Sequence, residues 1–79
     1  MDKRAIQIVD RYIDFKVGCG IKRDVYIVWK CKTLQNWKYL ISSDLPDGMY
    51  YELTYNGDKH EWYLDAYHKI DNEVINELE

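Results

Sequence analysis

Ile6, Val9, Ile13 and Val17 recur at helical spacing near the start of the chain, with Tyr12 widening the apolar stripe. Arg4, Arg11 and Lys16 fall outside that stripe. The pattern predicts an amphipathic helix over residues 3–17, with Asp2 as its N-cap and Gly18-Cys19-Gly20 as its breaker. From Asp24 to Lys32 the period changes to two. Val25, Ile27, Trp29 and Cys31 alternate with Tyr26, Val28 and Lys30, as in a strand. Residues 33–36 connect to a second strand over Trp37–Ser43. Leu45-Pro46-Asp47-Gly48 is a tight-turn sequence, and Met49–Tyr55 and Lys59–Tyr67 read as strands three and four. Behind Asp71 and Asn72, the i, i+4, i+8 series Ile70, Val74 and Leu78 predicts a short C-terminal helix. The fold class is therefore α+β. One domain spans residues 1–79, an N-terminal helix packed on a four-stranded antiparallel β-meander with a short helix at the end.

Asn56-Gly57 lies between two alternating aromatic-rich runs, a strong hairpin signal. A two-residue turn there pairs Leu53 with His60, Tyr51 with Trp62 and Met49 with Leu64 on one face. Glu52 then meets Glu61, and Tyr50 meets Tyr63, on the other. The first face extends to Val25, Ile27, Trp29, Trp37, Tyr39, Ile41 and Ala66. It is the bulkier and less charged one, so the helix should cover it, with Trp29, Trp62 and Leu53 buried.

The opposite face holds Tyr26, Tyr50, Tyr63 and Tyr67 among Glu52, Glu61 and Asp65. Tyrosine supplies rigid apolar area with a polar tip, so this set is the candidate partner-binding surface. The competing reading is a solvated sheet face on which Tyr, Lys and Glu simply suit a strand. Glu52 beside Glu61 is a like-charge conflict, relieved by Lys59, by Lys38 or by a basic partner.

Charge sharpens this picture. Residues 1–40 carry nine Lys/Arg against four acids, a balance of +5, and residues 41–79 carry two lysines against ten acids, −8. The two halves either neutralise each other on packing or leave an acidic patch for a basic partner. At 79 residues the chain has little room for an internal pocket, so a site belongs on a face, in a groove or at an oligomer interface. Neither a transmembrane run nor a secretory leader is readable, and cytoplasmic location is the default expectation.

Catalytic and cofactor chemistry find little support. Cys19, Cys31, His60 and His68 lack zinc-ligand spacing, so no metal is expected, and the two cysteines read as free thiols. Gly18-x-Gly20 follows a helix and has no Lys-Ser/Thr after it, unlike a phosphate loop. A carboxylate pair on an open face lacks the cleft that glycoside hydrolysis needs. The basic residues and the aromatic hairpin are separated along the chain, which argues against direct nucleic-acid binding. No cofactor and no catalytic residue is expected.

The run Val25-Tyr-Ile-Val-Trp-Lys-Cys-Lys-Thr-Leu-Gln-Asn-Trp-Lys-Tyr-Leu carries a resemblance. It continues through Pro46-Asp-Gly-Met-Tyr-Tyr-Glu-Leu-Thr-Tyr-Asn-Gly-Asp-Lys and Leu64-Asp-Ala-Tyr-His-Lys. Over residues 25–70 it resembles a family of small proteins encoded in phages and prophages of Gram-positive bacteria, defined only as a domain of unknown function. The resemblance implies a phage protein acting in the host cytoplasm. The expectation is a non-enzymatic inhibitor that covers a functional surface of a bacterial host defence protein, a CRISPR effector for example. The partner would have a basic surface. One alternative is an oligomeric sponge for a signalling nucleotide, with Lys30, Lys32 and Lys38 on its phosphates. Another is a structural or regulatory phage protein.

Overall fold

A computed structural model describes residues 1–77. Helix α1 runs Asp2–Lys16, followed by strands β1 Val25–Thr33, β2 Asn36–Ser43, β3 Met49–Asn56 and β4 Glu61–His68. The strands form one antiparallel meander in the order β1-β2-β3-β4, with α1 on one face. The expected α+β class and strand order are thus present.

The helix buries Ala5, Val9 and Ile13, a line of i, i+4, i+8 positions, with Ile8 and Tyr12 packed beside it. This stripe is rotated from the expected one: Val17 is exposed and Ile6 only half-buried. Ala5 at the contact lets the backbone come close to the sheet. Beneath lie Tyr39, Ile41, Tyr51 and Leu53, all essentially without solvent contact. Each fully buried aliphatic side chain contributes about 1.5–3 kcal/mol relative to exposure. Tyr12 meets Tyr51 edge-on at 5.6 Å.

The β3–β4 register differs from the expected one. Leu53 pairs with Leu64, Tyr55 with Trp62 and Asn56 with Glu61, and residues 57–60 form the connection. The two-residue hairpin turn is Leu34-Gln35, where Leu34 takes φ 58°. Asn56 instead uses its side chain, with Oδ1 accepting from Asp58 N–H at 3.0 Å and Lys59 N–H at 3.3 Å. Every β4 partner therefore lies four positions further on than expected, as in Leu53 with Leu64 rather than His60. An even displacement leaves each side chain on its own face, because strand side chains alternate with period two.

Strand β1 breaks the alternation. Ile27 pairs with Ile41 and Trp29 with Leu40, leaving Val28 as the extra residue of a β-bulge. The bulge turns over everything after it. Trp29, expected beneath the helix, lies on the outer face and is 48% exposed. Lys30 comes to the helix face beside Tyr39. Trp62 and Leu53 do lie on the helix face, half-buried and buried respectively, whereas Ala66 is exposed there. The expected C-terminal helix is absent: residues 69–77 have no regular structure, and Leu78 lies outside the described residues. Ile70, Val74 and Ile75 are 94%, 79% and 76% exposed, so nothing supplies the packing that stabilises a short helix.

The two turns at one end of the sheet lock together. Gly57 donates its N–H to Asn36 Oδ1 at 2.9 Å, and Gln35 bonds Asp58. A Cβ on Gly57 would run into the Gln35 carbonyl oxygen, with Gln35 Cβ 2.8 Å away. Gly57→Ala is expected to cost about 1–3 kcal/mol through this overpacking. Leu53→Ala should cost about 2–5 kcal/mol as a core truncation. Urea denaturation checks both. An unchanged midpoint for Gly57→Ala would mean that the two turns separate freely.

Candidate interaction face

Two polar clamps hold α1 in place and so decide which surfaces stay open. At its start, Asp2 lies within the first turn rather than capping it, and its side chain makes no cap bond. Its carboxylate reaches the sheet instead, accepting from Tyr39 Oη at 2.8 Å and Lys30 Nζ at 2.6 Å. The bonds from Lys30 and Tyr39 hold the Asp2 carboxyl below its ordinary value. Burial first, then the bond to Asp2, pushes the Tyr39 phenol well above its own. Toward the other end, Arg23 folds back with its side chain only 5% exposed. It donates to Asp10 Oδ1 and the Asp10 carbonyl at 2.9 Å, to Asp14 Oδ1 at 2.7 Å and to the Ile21 carbonyl at 2.9 Å. The guanidinium fork matches several oxygens at once, which ties the 18–24 loop to the helix.

With α1 held over β1 and β2, the far side of the sheet has no covering layer among the described residues. Cross-strand rows order its side chains. One row is Tyr26, Ser42, Tyr50 and Tyr67. The next is Trp29, Leu40, Glu52 and Asp65, and the third is Cys31, Lys38, Thr54 and Tyr63. Glu61 follows along β4 opposite Asn56. Tyr26, Trp29, Tyr63 and Tyr67 are 43–53% exposed, and Tyr50 is half-buried.

The structure thus places Tyr26, Tyr50, Glu52, Glu61, Tyr63, Asp65 and Tyr67 on one surface, though not in the expected pairs. Tyr50 stands opposite Tyr67, and Glu52 opposite Asp65 rather than Glu61. The like-charge conflict survives with a different partner, at a cost of a few tenths to about 1 kcal/mol. Lys38 Nζ approaches Glu52 Oε1 at 3.5 Å and offsets part of it. Asp65 and Glu61 are exposed, and Tyr63 Oη lies 3.5 Å from Glu61 Oε1. Trp29 was missed because strict alternation was carried through the bulge. Strict alternation already turns Lys30 and Lys32 outward, so no residue pattern in β1 marks the change of face; it is set by pairing with β2.

The three lysines of the nucleotide alternative do not converge. Lys30 is tied to Asp2 and Lys32 lies over the Trp37 ring at 5.4 Å, both on the helix side, whereas Lys38 is on the outer face. Cys19 and Cys31 are exposed free thiols, and no His/Cys/Asp/Glu group suited to a metal occurs among the described residues. His60 sits in the β3–β4 loop with Nδ1 3.2 Å from Tyr55 Oη, and His68 ends β4. Among the described residues no helix is long and apolar enough to cross a membrane.

These features define a small α+β protein with one sheet face partly covered by the helix and the other aromatic, acidic and open. The chain belongs to a family of unknown function, DUF6275, whose profile matches residues 2–77. It matches no curated protein and no solved structure.

The Asp2–Tyr39 contact gives a pH signature. Asp2 has a lowered folded pKa, so its stabilising effect is present above the ordinary value of 3.8 and is lost as pH falls through the folded value. Tyr39 has a raised folded pKa, so its contribution is complete below the ordinary value of 10.0 and is lost as pH climbs toward the folded value. Urea midpoints across the pH range should fall on both limbs. Asp2→Asn should flatten the acid limb and Tyr39→Phe the alkaline one. Unchanged limbs in both variants would show that in solution Asp2 is not held by Lys30 and Tyr39 and that the Tyr39 phenol is not buried.

Proposed function

We propose that this chain is a non-catalytic interaction protein whose outer sheet face covers a functional surface of a basic partner. The observation that carries this reading is the uncovered face itself. Four large aromatics are half exposed around Glu52, Asp65 and Glu61, with Lys38 as the cation beside them. Aromatic side chains supply buried area at low entropic cost, and carboxylates held between them attract and orient a cationic surface. The resemblance to small phage proteins extends the proposal to a phage-encoded inhibitor of a bacterial host protein. Its target would be a defence protein such as a CRISPR effector. Basic grooves that hold nucleic acid are natural targets for a carboxylate cluster, since their lysines and arginines are arranged for phosphates. Action in the host cytoplasm follows from that target. The dispersal of Lys30, Lys32 and Lys38 gives the nucleotide sponge no comparable support.

A tagged chain captures the partner from bacterial lysate, and association kinetics with that partner then test the face. Raising ionic strength should slow association. Reversing Glu52, Glu61 and Asp65 together to lysine should lower the association rate constant about tenfold or more. Trp29→Ser should instead speed dissociation, because it removes contact area. A partner that binds both variants normally at all salt concentrations would move the interface elsewhere.

A further inference from the structure

The helix also leaves part of its own face of the sheet open. Between α1 and β4 runs a groove of about 620 Å³, floored by Trp62 and Leu64 and walled by Ile8 and Phe15. Phe15 is 83% exposed, and Arg4 and Arg11 stand on the rim. The chain itself carries a segment of complementary character. Residues 70–77 present Ile70, Val74 and Ile75 almost fully to water, with Asp71, Glu73 and Glu77 between and beside them. At helical spacing Ile70 and Val74 fall on one side.

We infer that the groove receives the C-terminal segment of a second copy of this chain, so that two molecules exchange tails reciprocally. Apolar side chains of the tail fill the groove, and its carboxylates meet Arg4 and Arg11. The path of the chain favours the second copy over the chain's own groove. Strand β4 passes Trp62 and Leu64 first and ends at His68, and the Lys69 N–H is then bonded to the Gly48 carbonyl at 2.7 Å. The apolar series begins at the next residue, Ile70. A reversal back over Leu64 takes about four residues, which would consume Ile70 and Asp71 in the turn. A two-fold exchange lets each copy donate a tail and receive one, burying both apolar surfaces. It leaves the outer face free and is independent of the reading proposed for that face.

Sedimentation equilibrium of the full chain tests this, with two variants that change only exposed positions. Val74→Asp with Ile75→Asp alters the tail and leaves the groove intact, whereas Phe15→Glu alters the groove and leaves the tail intact. The wild type should dimerise, with an affinity that weakens as salt rises. Each variant should weaken self-association at least tenfold, with an unchanged far-UV spectrum of the sheet. An equimolar mixture of the two should form a heterodimer, because one intact groove meets one intact tail. A synthetic peptide of residues 70–79 should bind the tail variant, gain helicity and shift tryptophan emission, and Arg4→Glu with Arg11→Glu in that variant should weaken it. A wild type that stays monomeric up to millimolar concentration would overturn the inference. So would a dimer that both variants preserve.

Discussion

One helix cannot cover a four-stranded sheet. An α-helix with its side chains is about 10–12 Å across, whereas four strands at about 4.8 Å spacing span more than that before their own side chains are counted. A single covering element therefore leaves one whole face and part of the other in contact with water. Where it lies decides which residues those are. Asp2 and Arg23 make that choice, one tying the first turn of α1 to β1 and β2, the other binding the 18–24 loop back along the helix. A helix of 15 residues is marginal alone in water, so these clamps and the Ala5–Val9–Ile13 contact are what make it a fixed layer.

The bulge at Val28 serves the same arrangement. It brings Lys30 under the helix start, where Asp2 awaits it, and sends Trp29 outward to join the tyrosines. One extra residue thus supplies a clamp partner on one face and an exposed indole on the other. The like-charge row of Glu52 and Asp65 sits at the centre of the outer face, only partly compensated by Lys38. Local conflicts of this kind are expected at functional or strained sites.

Much of the fold could be read from residue patterns, because the patterns were long. The helix, all four strands and their order followed from a change of period from 3.6 to 2 and from turn residues. The face assignment of β3 and β4 survived a wrong turn, since Asn56-Gly57 opens a longer loop and the displacement was even. What could not be read depended on contacts between distant residues. The bulge is set by pairing with β2, and the role of Asp2 by Tyr39 and Lys30 across the fold. The tail showed the converse. Its helical periodicity is real, but a stripe of Ile70 and Val74 without a surface to bury against does not fold in a single chain. Of the outer face, the seven tyrosine and carboxylate positions were legible, and Trp29 was not.

Hydroxyl-radical footprinting of the dilute protein, read residue by residue, tests the one-sided cover most directly. Trp29, Tyr26, Tyr63 and Tyr67 should be modified rapidly and Tyr39 and Tyr51 slowly, in keeping with 43–53% exposure for the first group and at most 1% for the second. Trp29 protected as strongly as Tyr39 would contradict the account. It would place that indole beneath α1 and remove both the bulge and the open aromatic face built on it.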